Sequence, residues 1–294
     1  MAYVSYTGLP VYFGDSVNSF TFPANQVDTS SKGVLAQQVT LSNTPNIAPQ
    51  RLLGTKPDDD SYIMAGPPNA TLSISCLIDG ETEQFDPFDY TGDVGDKGTT
   101  FRIGDHTHGI SGSGAFLQSL SFTVAPYSPV SVQAEFALYC PLIKDSKVTG
   151  GKLHNVDNTA TQSAIPNLDQ SIFAHGAYST INNKNLLTGV DNVESIQYNF
   201  SCTRLPVYEL GSQSPAAVEY LSAEESFVVN GDNVTQLVNE SGLALDSNFG
   251  VTLKNAIGTT VKQLIGKYRV TAQNVSLAAG DFGRGSVTLT RVIK

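Results

Sequence analysis

The chain repeats a pattern of residues at a nearly constant spacing, and this self-similarity limits its fold more than any other feature. Adding 157 to five positions of the first half gives five similar residues in the second: Val39, Leu41, Pro49, Leu53 and Gly54 become Ile196, Tyr198, Pro206, Leu210 and Gly211. Further on, Pro57 and Tyr62 correspond to Pro215 and Tyr220 at an offset of 158, and Leu72 and Ile74 to Phe227 and Val229 at 155. A steady offset over roughly 100 residues is typical of a duplicated unit. The sequence therefore predicts two tandem copies of one unit.

The ends of the two copies show the alternation of β-strands. Within 116–124 and 130–138 most apolar residues share one parity and polar residues the other, as in a sheet with one buried face. In the second copy the residues expected to face inward are Val275, Leu277, Val287 and Leu289, equivalent at an offset of 155 to Leu120, Phe122, Val132 and Ala134. Helical signals are limited to one or two turns in 235–245 and 259–264. We therefore predict an all-β fold with at most short helices, made of two tandem β-sandwich or barrel repeats.

Two stretches lack this alternation. Residues 141–192 have little periodicity and much Gly, Asn, Ser and Thr, so we expect a linker or an arm that orders against a neighbouring subunit. Residues 1–33 are similar and are expected to act as an arm of the first repeat. The predicted organisation is a first β repeat with its N-terminal arm at 1–140, the linker or arm at 141–192, and a second β repeat at 193–294.

Charge and cysteine content narrow the classes of function. The chain has 17 basic and 27 acidic residues among 294, a net charge of -10, and no cluster of Lys or Arg. A reader of duplex DNA needs a basic surface, so sequence-specific nucleic-acid binding is not expected. Cys76, Cys140 and Cys202 are an odd number without a CxxC motif, which predicts buried thiols in a reducing compartment. We expect no membrane span and no signal peptide.

One segment of the second repeat resembles a pattern found in structural proteins of tailed bacteriophages. Residues 195–211 contain an alternating strand, Arg204 before an apolar loop and the Leu210-Gly211 pair, with Pro215 nearby. Residues 39–57 carry a degenerate copy in which Arg51 is displaced toward the Leu-Gly pair. Within this class the chain is most similar to the tail-tube (major tail) protein family, in its duplicated form.

The resemblance implies a non-enzymatic virion protein without a cofactor. It implies β-sandwich or barrel repeats in stacked homo-oligomeric rings, where three chains with two fused copies each give pseudo-six-fold symmetry. It also implies a location in the virion tail after synthesis in the host cytoplasm, contacts with other tail proteins, and DNA as passing, non-specific cargo. An acidic balance suits such a channel, because like charge repels phosphate.

Two groups of residues are candidates for binding a metal. His106 and His108 are two apart, so on a strand their side chains would share one face and could share a metal ion. Spacing identifies no third ligand, and a polar loop or strand end is the preferred interpretation. The Asp-Asp-Asp sequence at 58–60 lacks the glycine and distal glutamate of a calcium loop, so a solvated turn is expected. We predict no metal site.

Three further groups resemble parts of enzyme sites. The Ser-Gly-Ser-Gly sequence at 111–114 lacks the Gly-x-Ser-x-Gly spacing of a hydrolase elbow and precedes a strand, not a helix. The glycines at 280–285 lack the Lys-Ser/Thr of a phosphate loop. Glu224 and Glu225 could belong to a carboxylate pair of the glycosidase type, but no partner is evident, and both are expected to be exposed. No catalytic or cofactor-binding residue is predicted.

Two other functions compete with the tail tube. A phage neck, collar or head decoration protein has the same structural character. A carbohydrate-binding or hydrolytic β-domain protein is the third interpretation, although the absence of Trp disfavours it, since sugar sites exploit aromatic stacking; 12 Tyr could take that role.

Overall fold

The computed structural model describes residues 9–14, 32–50, 61–64, 66, 69–77, 88, 98–104, 109–125, 130–139, 143–145, 178–182, 192–212, 214–232, 247–254, 260–277, 279 and 283–293. These residues form fifteen β-strands: β1 Leu9–Gly14, β2 Lys32–Thr44, β3 Ile47–Gln50, β4 Ser61–Met64, β5 Asn69–Leu77, β6 Thr99–Gly104, β7 Gly109–Val124, β8 Ser131–Leu138, β9 Ile143–Asp145, β10 Tyr178–Asn182, β11 Asn192–Val207, β12 Ala217–Asp232, β13 Ser247–Lys254, β14 Thr260–Ser276 and β15 Arg284–Ile293. The prediction of an all-β fold is confirmed.

Thirteen of these strands belong to one antiparallel sheet. Its order is β10-β13-β14-β15-β12-β11-β7-β6-β1-β2-β5-β8, with β9 on β7, while β3 and β4 form a separate pair. Because β8 also pairs with β7, the strands β7, β6, β1, β2, β5 and β8 close into a barrel. The corresponding strands of the second half follow the same order, but the described residues show no pairing between β10 and β11.

Four adjacent strands of each half have the same register. We call β2, β5, β8 and β7 the first unit, and β11, β12, β15 and β14 the second unit. Every described pair of β2 with β5 recurs between β11 and β12 at offsets of 157 and 155, as Val39–Ile74 recurs in Ile196–Val229. The pairs of β5 with β8 recur between β12 and β15, at an offset of 155 residues for β12 and 153 residues for β15. This agreement supports an internal duplication.

Irregularities of the sheet recur at the same places. In β2 a break in register at Ala36/Gln38 matches one at Val193/Ser195 in β11. The break at Leu117/Ser119 in β7 matches Val270/Ala272 in β14, at an offset of 153. Since a bulge bends a strand and increases its twist, both units share local shape as well as strand order.

Three expectations from the sequence are wrong in detail. The offset for the last two strands is 153 rather than 155, so Phe122 corresponds to Val275, not to Leu277. Val275 and Leu277 are exposed rather than buried in the core, while Val287 and Leu289 are buried as predicted. The short helix expected at 259–264 is wrong for its described part, because β14 begins at Thr260. The one expected at 235–245 lies outside the described residues.

Strands also occur in the stretches expected to form arms. β1 lies within 1–33 and pairs with β2 and β6 of the first barrel. Within 141–192, β9 pairs with β7 and β10 pairs with β13. The boundaries 1–140, 141–192 and 193–294 remain predictions.

The core lies on one face of the shared sheet and runs through both units. Aromatic side chains dominate it, because alternate residues of long strands point to the same face. Among the described residues, the largest fully buried side chains are Tyr198, Tyr268, Phe101, Phe136, Phe200, Phe227, Phe249, Leu72 and Leu138. Cys76 and Cys202 are buried as predicted, and Cys140 lies outside the described residues.

Candidate functional site

The two units meet where β7 pairs with β11. Six antiparallel pairs run from Ser119–Ser201 to Val124–Ile196. On the core face the junction joins three pairs of buried side chains: Val124 with Ile196, Phe122 with Tyr198, and Leu120 with Phe200. The rings of Phe122 and Tyr198 stack with centroids 5.0 Å apart. The junction therefore extends one sheet and one core across both units.

The opposite face of this sheet carries mostly hydroxyl and amide side chains around the junction. At the junction Ser119, Ser121 and Thr123 lie opposite Ser201, Asn199 and Gln197. Over the first unit the face is concave, with a cleft of about 280 Å³ whose polar lining includes Gln38, Thr40, Ser73, Ser75, Gln133 and Glu135. Over the second unit it continues with Ser226 and Asn230 opposite Thr290 and Ser286. Farther from the junction the face also carries charges of both signs, since Arg269 lies opposite Thr290 and Arg284 lies opposite Asp232.

A carboxylate of the second unit is buried in the core. Glu225 is 1% exposed and accepts hydrogen bonds from the hydroxyls of Tyr198 at 3.0 Å and Tyr268 at 2.7 Å. Its second oxygen lies 2.5 Å from a guanidinium nitrogen of Arg291. The expectation that Glu225 is exposed is therefore wrong, whereas Glu224 is exposed as predicted. The signal was its parity, since Glu225 alternates in phase with the inward-facing Phe227 and Val229.

The surroundings of Glu225 perturb the hydroxyl of Tyr268. Burial raises the pKa of the Tyr268 hydroxyl, and the Glu225 carboxylate raises it further, while Arg291 opposes both. The Arg291 guanidinium lies 5.2 Å from the centre of the Tyr268 ring. A Cβ on Gly266 would overlap this guanidinium, so the glycine leaves the space that Arg291 occupies. The carboxylate is fully engaged and inaccessible, which suits a structural role.

A second cluster lies beside the junction, around Arg204 of β11. Its guanidinium is 5.2 Å from the ring centre of Phe116 in the first unit and 5.8 Å from that of Tyr220 in the second. Burial raises the pKa of the Cys202 thiol, and the charge and hydrogen bond of Arg204 act in the opposite direction. Burial likewise raises the pKa of Tyr139, again opposed by Arg204. A cation that contacts both units strengthens their attachment.

Each unit also carries a two-stranded extension. The pairs of β3 with β4 recur at the far end of β11 and β12, as Pro49–Tyr62 recurs in Pro206–Val218, so Tyr62 corresponds to Val218 and not to Tyr220. We call residues 204–207 and 217–220 the ribbon. Between its strands Gly211 has a φ of 87°, which glycine adopts without strain. Leu205, Val207 and Leu210 are exposed on and beside the ribbon.

Several candidates from the sequence fall outside the described residues: His106, His108, the aspartates at 58–60 and Gly280. The Ser-Gly-Ser-Gly sequence at 111–114 lies within β7, so it forms no strand-to-helix elbow. Among the described residues no three His, Cys, Asp or Glu side chains come together as a metal site would require. The same residues include no helix with the length and hydropathy of a membrane span.

Sequence reasoning missed the partners of Glu225. Tyr198 and Tyr268 lie 70 positions apart in the chain and Arg291 lies in the last strand, so only the strand order brings them together. The junction was missed as well, because no spacing in the sequence pairs β7 with β11. No protein-family model and no curated protein matches this chain.

Proposed function

We propose that this chain is a structural subunit of a bacteriophage tail tube, whose rings enclose the channel for DNA. The observation that carries the proposal is the junction of two equivalent four-stranded units, in identical internal register, into one continuous sheet. A unit that joins its own copy edge to edge is a module for building closed rings, since closure leaves no free sheet edge. A monomeric β-domain has no need of this arrangement.

The two faces of the sheet support a channel. One face is packed against the core, and around the junction the other carries mainly Ser, Thr, Asn and Gln. Farther away it carries the carboxylates of Glu135 and Glu224 and the two separate cations of Arg269 and Arg284. A wall without clustered cations lets a polyanion slide, because phosphate gains nothing by stopping there. The net charge of -10 acts in the same direction.

We further propose three chains per ring, with true three-fold and approximate six-fold symmetry. Each chain supplies two units, and closed symmetry is the common solution for homo-oligomers. The ribbon and its exposed apolar residues then contact the next ring or other tail proteins. The subunit would be made in the host cytoplasm and end in the tail of the virion.

Electron microscopy of the purified protein, with mass measurement of its assemblies, tests the proposal. We expect tubes, or rings with the mass of three chains that stack as concentration rises. Discrete rings that never stack would favour the neck or collar alternative. A stable monomer at high concentration would contradict both, and would favour a β-domain that binds another ligand.

A further inference from the structure

Within one chain, the two units form the junction once, and the equivalent contact between their other two edges is not made. In the junction, β7 of the first unit pairs with β11 of the second. The strand equivalent to β11 is β2, and the strand equivalent to β7 is β14. These two lie at opposite ends of the eight-stranded sheet formed by the two units, seven strand spacings or about 34 Å apart along it at 4.8 Å per strand. One chain therefore cannot pair them with each other.

Among the described residues, no strand pairs with the corresponding part of the edge of either β2 or β14. Residues 39–44 of β2 pair with β5 on one side, and β1 reaches only residues 32–36 on the other. Residues 274–276 of β14 pair with β15, while β13 reaches only residues 260–268 on the other side. In the described part of the chain, no other strand covers these two segments. Open backbone edges of this kind are templates for a further strand.

Side-chain exposure shows where a partner is expected. Val275 is 37% exposed and Leu277 is 77% exposed, whereas their equivalents in the internal junction, Phe122 and Val124, are 2% and 1% exposed. The same contrast holds on the other edge. Val39 and Leu41 are only partly buried, but their equivalents Ile196 and Tyr198 are fully buried. Each side of the missing junction thus lacks the cover that the internal junction provides.

We infer that β14 of one copy of this chain pairs with β2 of a second copy, antiparallel, with Leu41 opposite Val275. The register follows from the internal junction, with offsets of 157 for β11 and 153 for β7. It places Val39 opposite Leu277, Thr40 opposite Ser276, Leu41 opposite Val275, and Ser42 opposite Asn274. Apolar residues then meet on the core face and polar residues on the opposite face, as they do inside the chain.

This pairing is head to tail, because each chain offers one β2 edge and one β14 edge. Such a contact generates a closed ring or an open helix, and a dimer would close only if both β14–β2 contacts formed reciprocally between the same two chains. The inference deepens the proposed function, on which it rests for the size of the ring, while its register rests on the internal junction alone.

Disulfide cross-linking tests the register on the solvent-facing side. In the variant Ser42→Cys/Asn274→Cys the two Cα atoms of neighbouring copies would lie roughly 4.5–5.5 Å apart, within the range of a disulfide. The control Ser42→Cys/Ser276→Cys moves one thiol by two residues on the same face, to a diagonal distance of about 7–8 Å. Wild-type chain under the same mild oxidation accounts for the native thiols.

On a non-reducing gel we expect the first variant to run as multimers, which a reductant converts back to monomer. The control variant should keep its monomer band. Two results would overturn the register but not the proposed function. In one, both variants cross-link equally; in the other, neither variant cross-links although the protein still assembles. A chain that stays monomeric would overturn both. Cross-linked rings that never stack into tubes would uphold the pairing and count against the tail tube.

Discussion

The rings of Phe122 and Tyr198 stack across the boundary between the two units, with an interplanar angle of 28°. Phe122 belongs to β7 and Tyr198 to β11, and the two residues are also opposite one another in the strand register. Tyr198 in turn contacts Phe227, at 5.1 Å between ring centres, and so links the pair to the interior of the second unit. The two cores are therefore one, and we expect them to unfold together.

Truncating Phe122 to alanine should destabilise the whole chain, whereas truncating its equivalent, Val275, should not. We expect Phe122→Ala to lower the free energy of unfolding by about 3–5 kcal/mol, since it opens a cavity in a closed core. Val275→Ala, at the exposed equivalent, should change the stability of the monomer by less than about 0.5 kcal/mol but weaken assembly. Urea denaturation of the two monomers measures both, and equal losses would contradict the shared core.

Removing Arg291 from its ion pair with Glu225 should lower the free energy of unfolding more than removing Glu225 does. In the first unit the equivalent positions hold Ala70 and Leu138, so the fold does not require the charges. Arg291→Leu leaves a carboxylate buried without its cation and should cost about 3–5 kcal/mol. Glu225→Met should cost less, because the Arg291 side chain is 26% exposed and can reach water.

A double-mutant cycle completes this prediction. Glu225→Met/Arg291→Leu should be more stable than Arg291→Leu alone by about 2 kcal/mol, since no uncompensated charge remains. Glu224→Met is the matched control on the exposed side of the same strand and should stay within about 0.5 kcal/mol of wild type. Additive losses in the cycle would mean that the two side chains do not interact.

Tyr268 should make stability depend on alkaline pH. The folded chain holds its hydroxyl proton above the ordinary pKa of 10.0, chiefly through burial and then through Glu225. Above that value the unfolded chain binds fewer protons than the folded chain, so stability falls as pH rises. This loss amounts to at most about 1.4 kcal/mol per pH unit. Tyr268→Phe should show a shallower decline in urea titrations between about pH 10 and 11.5; parallel curves would contradict it.

The sequence predicts the strands and their faces but not the register of the last two. A shift of two residues keeps every side chain on its face, so the alternation around Val287 fits offsets of 153 and 155 equally. Only the pairing with β12 and the bulge at Val270/Ala272 decide between them. Val275 shows the same limit, because alternation tells which face a residue takes but not whether a partner strand is present to cover it.

The sequence does not predict the burial of Glu225, for a different reason. Acidic residues are rarely buried unless they are paired, so a carboxylate in a strand is assigned to the surface by default. Its parity contradicted that default, but its three donors come from β11, β14 and β15, and their convergence requires the strand order. Periodicity fixes the direction of a side chain, whereas long-range pairing supplies its neighbours.

The exposed apolar residues of the ribbon should matter for stacking and not for the fold. Leu205 is 49% exposed and lies opposite Glu219, on a part of β11 and β12 that pairs with no third described strand. If the ribbon contacts a neighbouring ring, Leu205→Glu places a charge in an apolar contact, which is costly without a partner. We expect rings of unchanged mass and stability that no longer form tubes.

Thr203→Glu is the control for this variant, because it adds the same charge to the same exposed face of β11 without removing an apolar side chain. Negative-stain microscopy counts tubes against rings, and sedimentation measures the mass of each species over a range of concentrations. Tubes of normal length in Leu205→Glu would exclude the ribbon from the stacking contact. Loss of the rings themselves would instead place Leu205 in the lateral interface, because only that contact holds the chains of one ring together.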